Sequence, residues 1–185
     1  MSIRLIDGAL LAEVTAEAQA SLRLRKNRNF HPRDDYPGHR LLNALEPGSY
    51  VPPHRHLNPN KDETMVVLSG RLGLVTFDGQ GNITGTAVLA PGSHTLGVDI
   101  PHGTWHSVLA LCPGTVFLEA KSGPYLPLTG DELAPWAPAE GQVEAAAYQA
   151  TLARLFMAPR LRFELTYLPP LKIGRASCRE RVSSP

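Results

Sequence analysis

No apolar run in this 185-residue chain approaches the roughly 18 residues that a membrane span needs, and the N-terminus has no signal-peptide hydrophobic region. The expectation is a cytoplasmic protein with no membrane partner. Cysteine is scarce. Cys112 and Cys178 are too few for a disulfide framework, which suits a reducing compartment. A dominant charge is also missing, because the formal net charge is +1. That small number joins two unlike parts: residues 159–185 carry +4 and the remaining residues −3. Positive charge confined to one terminal tail is no nucleic-acid footprint. Hydrophobic residues at 43% and charged residues at 19% exclude a disordered acidic or basic chain. What the chain does have is 16 Gly and 17 Pro, scattered between short apolar runs. That pattern points to one turn-rich β domain.

The tail "KIGRASCRERVSSP" has no apolar periodicity and follows Pro169 and Pro170. It resembles a translated cloning-vector or adapter read-through. Residues 159–185 are therefore expected to be non-native or disordered and stand outside the fold argument.

Asp7 is placed to cap a helix through "GALLAEVTAEAQASL", whose Leu11, Val14, Ala18 and Leu22 share one face. The segment "RLRKNRNFHPRDDYPGH" reads as loop. From Arg40 to Ser122 short β runs alternate with turn signals: 40–45, 50–56, 64–68, 72–77, 83–89, 94–100, 105–111 and 116–121. Eight short strands at this spacing predict an all-β sandwich or barrel. The Pro-rich stretch "LAPWAPAEG" leads to a second helix near 143–156, with Tyr148, Leu152, Leu155 and Phe156 toward the core. The expected organisation is 1–38 helix and basic loop, 39–123 barrel, 124–158 Pro-rich loop and helix, and 159–185 tail.

His54 and His56 are one residue apart, so in extended chain both imidazoles face the same side. Pro52 and Pro53 put the pair at a strand end or edge. Glu63 starts the next run. His106 alternates with Val108 and Ala110, so one side of its strand is a histidine plus apolar residues. Three imidazoles and one carboxylate make a mixed nitrogen and oxygen donor set. It suits Fe, Mn, Ni, Co or Zn and is poor for Mg or Ca.

Gly48, His54, His56, Glu63 and Gly70 resemble the first cupin motif, and Pro101, Gly103 and His106 the centre of the second. The spacer between His56 and Glu63, six residues, is longer than is usual, which leaves Asp62 as an alternative carboxylate. Thr95 and Ala110 stand where the second motif has Gly and Asn. A narrower resemblance covers roughly residues 3 to 156. "RLRKNRNFHP", "RLLNALEPGSYVPPHRH", "KDETMVVLSGRL", "DIPHGTWHSV", "VFLEAKSGPY" and "LAPWAPAEG" look like the WbuC family of cupin-fold metalloproteins. That resemblance implies a small cupin (jelly-roll) barrel with flanking N- and C-terminal helices and Glu63 as the carboxylate ligand. It also implies a bacterial setting among surface-polysaccharide (O-antigen) genes. It implies no reaction.

The metal ligands expected are His54, His56, Glu63 and His106, with no catalytic residue assigned. A sugar-like small molecule is the expected ligand, with Arg25, Arg28, His31, Glu119 and Lys121 as candidates to touch it. Arg23, Arg25, Lys26 and Arg28 read either as a solvated helix end or as a phosphate grip. Glu119 and Lys121 read either as cavity lining or as a solvated ion pair. The function classes are a metal-dependent isomerase, epimerase or lyase, an Fe(II) oxygenase, or a non-catalytic sugar sensor or binding module. A homodimer is the expectation from cupin architecture.

Overall fold

In the computed structural model, residues 3–157 are described, so the expectation for residues 159–185 lies outside the described residues. Helix α1 (Gly8–Gln19) is followed by strands β1 (Arg25–Asn29), β2 (Gly38–Leu45), β3 (Glu63–Ser69), β4 (Leu72–Phe77), β5 (Ile83–Leu89), β6 (Gly97–Ile100), β7 (Trp105–Ala110) and β8 (Thr115–Ser122), then helix α2 (Ala145–Arg154). The strands form two antiparallel sheets, ordered β1-β2-β8-β3-β6 and β5-β4-β7. Two sheets face to face with a helix outside each give the expected small cupin jelly roll.

Three apolar clusters hold these layers. Between the sheets lie Leu45, Met65, Val67, Leu72, Leu74, Leu89, Val108, Ala110 and Phe117. The alternate residues of β7, Trp105 and Leu109, face outward and pack with Val75, Phe77 and Leu152 under α2. On the other sheet Leu42, Ala44 and Val116 meet Val14 and Ala18 of α1. The chain reverses direction sharply where Gly70 and Gly103 adopt φ of +74° and +78°. A Cβ on Gly70 would also stand 2.6 Å from the Thr115 backbone.

Several expectations are corrected. Arg25–Asn29 is not loop but an edge strand paired with β2. Its two long faces differ, because Lys26 and Arg28 lean on α1 while Arg25 points the other way. The stretch 50–56 is not a strand, because Pro52 and Pro53 have no N–H for a ladder. It stays extended and makes one bridge, with His54 and His106 exchanging backbone hydrogen bonds of 3.0 and 2.9 Å. The predicted 94–100 strand shortens to Gly97–Ile100. Leu22 and Leu155 are exposed rather than core, because α1 and α2 end before reaching them. Asp7 caps α1 as expected, its carboxylate accepting from the Leu10 N–H at 3.0 Å. Among the described residues no helix is long and apolar enough to cross a membrane.

Candidate metal centre

The site lies where three elements meet inside the barrel. Glu63 opens β3, His106 is the second residue of β7, and the 50–56 segment brings His54 alongside β7. Backbone bonds clamp that segment from its other side, with Ala134 N–H donating to Pro53 and Arg55 N–H to Glu132. His54, Glu63 and His106 each present a ligand atom within 4.8 Å of the others, a group that could hold a metal ion. His56 stands outside that grouping, but its Nε2 lies 3.0 Å from Glu63 Oε1. Asp62, the alternative carboxylate, is exposed and accepts from the His102 backbone N–H at 2.8 Å.

Hydrogen bonds fix which nitrogen two of the three histidines offer. The Nδ1–H of His54 donates to the Pro52 carbonyl and that of His106 to the Thr104 carbonyl, both at 3.0 Å. A neutral ring so held turns a bare Nε2 lone pair inward. His106 Nε2 then lies 3.1 Å from Glu63 Oε2. His56 Nε2, Glu63 Oε2 and His106 Nε2 are buried and have no hydrogen-bond partner. Acceptors crowded together away from water repel unless a cation or a proton lies between them.

The protonation states favour a cation. Burial, then the nearby His106, pushes the His54 imidazole down to about 3, so this ring stays neutral near neutral pH. For Glu63 burial pushes the carboxyl up. The Lys121 ammonium, which donates to it at 2.7 Å, favours the ionised form. Glu63 is therefore an anionic donor beside the neutral His54 imidazole, a mixed oxygen and nitrogen set that a transition metal takes.

Beyond the ligands, β8 places Lys121 opposite Glu63 and Glu119 opposite Met65. Both side chains point into the barrel. Lys121 Nζ donates to Glu63 Oε1 at 2.7 Å and lies 2.6 Å from Glu119 Oε1. Burial pushes the Lys121 ammonium down, but Glu119 and Glu63 outweigh it and raise the group above the ordinary lysine value. The pair is an ion pair turned into the barrel rather than a solvated one on an outer sheet face.

His31 is buried, stacked on His39 with ring centroids 3.9 Å apart, and held by the Arg40 backbone. Arg28 is paired with Glu13 and Glu17 of α1, away from the barrel interior. Arg25 binds Glu140 at 2.8 Å and the Tyr50 carbonyl at 2.7 Å. It lines a cavity of about 390 Å³ that His54 also reaches. A cavity of about 490 Å³ near the end of α2, lined by Arg71 and Phe156, is remote from this chemistry.

Two residues of the polar interior escaped the sequence reading. Asn43 Nδ2 donates to Glu119 Oε2 at 2.7 Å, and His39 lies opposite Lys121 in the β2–β8 ladder. Their signal was the alternation His39-Leu41-Asn43-Leu45, which puts both on the inward face.

A family model described as a domain of unknown function (DUF6016) matches residues 6–89. No curated protein matches the chain. Among solved structures the chain is similar to KdgF from Halomonas sp., at 20% identity over 55% of this chain and 82% of that one, with a TM-score of 0.43. It is similar to the conserved SPY1581 protein of unknown function from Streptococcus pyogenes, at 14% identity over 68% of this chain and 92% of that one, with a TM-score of 0.45. A cupin-2 domain containing protein from Shewanella frigidimarina matches at 19% identity over 53% of this chain and 80% of that one, with a TM-score of 0.40.

Proposed function

We propose that this chain is a metal-binding cupin protein. It holds one divalent transition metal through His54, His56, Glu63 and His106 and takes a small carbohydrate-type ligand. The observation that carries the metal reading is the contact between His106 Nε2 and Glu63 Oε2, two buried atoms 3.1 Å apart with no hydrogen-bond partner. With His106 Nδ1–H committed to Thr104, a cation between these acceptors removes their repulsion. The carbohydrate reading, and a role in bacterial surface-polysaccharide synthesis, rest on the resemblance to the WbuC family.

A bound divalent metal would supply Lewis-acid polarisation of a ligand carbonyl or hydroxyl oxygen. The chain's own residues orient and enclose. Pro52 and Thr104 carbonyls fix the imidazoles, and Lys121 holds one oxygen of Glu63. A second reading, a sugar sensor without turnover, has one observation in its favour. Glu119 and Lys121, the titratable pair adjoining the ligands, are engaged with each other, with Asn43 and with Glu63.

The test is elemental analysis of protein purified without a metal-affinity tag, followed by turnover assays with nucleotide-sugars. About one metal per chain is expected, with sharp loss in His56→Ala and His106→Ala and none in His94→Ala. Full retention of metal in His106→Ala would overturn the site. Metal without turnover would favour the sensor.

A further inference from the structure

The cavity of about 390 Å³ lies between the start of β1, the extended 50–56 segment and the Pro-rich stretch that ends at Glu140. Its volume falls in the range of roughly 300–1,000 Å³ that small-molecule sites occupy. Among the described residues His54 is the one proposed metal ligand in its lining, so most of the cavity lies apart from the metal centre. Its walls are apolar, with Pro52, Leu133, Ala134 and Pro138. Its charged rim is Arg23, Arg25 and Glu140, two guanidiniums against one carboxylate.

The basic run thus divides. Lys26 and Arg28 turn to the acidic residues of α1, while Arg23 and Arg25 converge on Glu140. Arg23 donates to that carboxylate through two nitrogens, at 2.8 and 2.6 Å, and Arg25 through one, at 2.8 Å. The other arm of Arg25 donates to the Tyr50 carbonyl at 2.7 Å, which fixes this guanidinium at the cavity edge with 13% exposure. Glu140 is the looser partner. Its side chain is 35% exposed, and a turn toward water frees both guanidiniums.

One carboxylate balances one of the two cations. A ligand carboxylate in its place repeats what Glu140 already supplies. A phosphate monoester brings a charge of about −1.5 to −2 near neutral pH and three acceptor oxygens, enough to pair with both guanidiniums. We infer that this cavity is a binding site for a small phosphate monoester with an apolar body. The phosphate replaces Glu140 between Arg23 and Arg25, and the body lies against Pro52, Leu133, Ala134 and Pro138. Glu140 is an internal stand-in that a dianion displaces and a monoanion does not. The inference does not rest on the metal reading.

The experiment is calorimetric titration with phenyl phosphate and with benzoate, on the protein as purified and again with excess chelator. Phenyl phosphate is expected to bind about tenfold more tightly than benzoate, with or without chelator, and Arg25→Gln to lose about tenfold in phenyl phosphate affinity. Glu140→Gln removes the stand-in and should tighten phenyl phosphate binding. Glu144→Gln takes the same charge from an exposed residue at the start of α2 and should bind it as the wild type does. No binding of phenyl phosphate, equal affinity for both probes, equal gains in the two glutamate variants, or full affinity in Arg25→Gln would overturn the inference. Loss of phenyl phosphate binding on chelation would put the phosphate on a metal and overturn it too. The two glutamate variants decide if Arg25→Gln does not fold.

Discussion

The same strands build two unlike halves of one barrel. Along the inward face of β3 the residues run Glu63, Met65, Val67. Along β7 they run His106, Val108, Ala110, and along β8 Lys121, Glu119, Phe117. One end is a row of ligand-type and charged groups, with Glu63 paired to Lys121 and Lys121 to His39 across the ladder. The other end is apolar, with Val67 opposite Phe117 and Leu74 opposite Val108. The apolar half is stabilised by removing surface from water, which needs no partner and no particular protonation state. The polar half is stabilised only when every buried donor, acceptor and charge is matched. Fold stability should therefore come from one end and chemistry from the other.

Mutating the apolar end should produce the largest effect. Phe117 is 2% exposed in the inter-sheet core. Phe117→Ala should cost about 3–5 kcal/mol from lost burial plus the cavity left behind. Measured by urea unfolding, this loss should come with unchanged metal stoichiometry in the folded fraction. Metal loss at equal occupancy of the folded state would show that the two halves are not separable.

At the polar end, the effect should depend on metal. His106→Ala removes one of the buried acceptors facing Glu63. For the wild type, metal at about a hundredfold over its Kd should add roughly 2.7 kcal/mol of stability, and His106→Ala should gain far less. Thermal melts with and without added metal measure the difference. An equal metal-induced shift in both proteins would contradict the ligand role of His106.

Protonation separates the halves further. In the metal-free protein the His54 imidazole is lowered from 6.5 to about 3. Between those values the unfolded chain binds the extra proton and the folded chain does not. Stability therefore falls as pH drops through 6.5 and is unaffected by this group above it. From pH 6.5 to 5.5 the loss is about 1 kcal/mol for such a group. The slope should flatten by that amount in His54→Gln, read from the difference between the two proteins' urea midpoints. Parallel pH dependences would show that His54 is not a buried neutral ring.

How much of this was legible in the sequence follows from the same contrast. Alternation is a local property, so the inward setting of His106 with Val108 and Ala110 could be read from one strand. The runs 72–77 and 83–89 fall where β4 and β5 lie, because Gly70, Asp78-Gly79 and Pro91 punctuate them clearly. The basic segment was not legible. Arg25–Asn29 has no apolar residue to mark an inner face, and it becomes a strand only because β2 offers an unpaired edge. Nor could residue order tell cavity lining from surface for Glu119 and Lys121. That depends on which face of β8 meets α1 through Val116, a tertiary fact. The 50–56 stretch reads as β by composition, yet two prolines reduce it to a single bridge.

The smallest effect should come from the basic strand itself. Arg28 lies on the outer face of β1, 31% exposed, with Glu13 and Glu17 of α1 as partners. Exposed ion pairs are worth about 0.2–1 kcal/mol, because water screens them and holding long side chains costs entropy. Arg28→Gln should therefore shift the urea midpoint by no more than that. It should leave metal content unchanged. The shift should shrink in 1 M salt, where the Debye length is about 3 Å. If Arg28→Gln lowered metal content as sharply as His106→Ala, the outer edge strand would be supporting the ligands, and the division of labour between the barrel's two ends would fail.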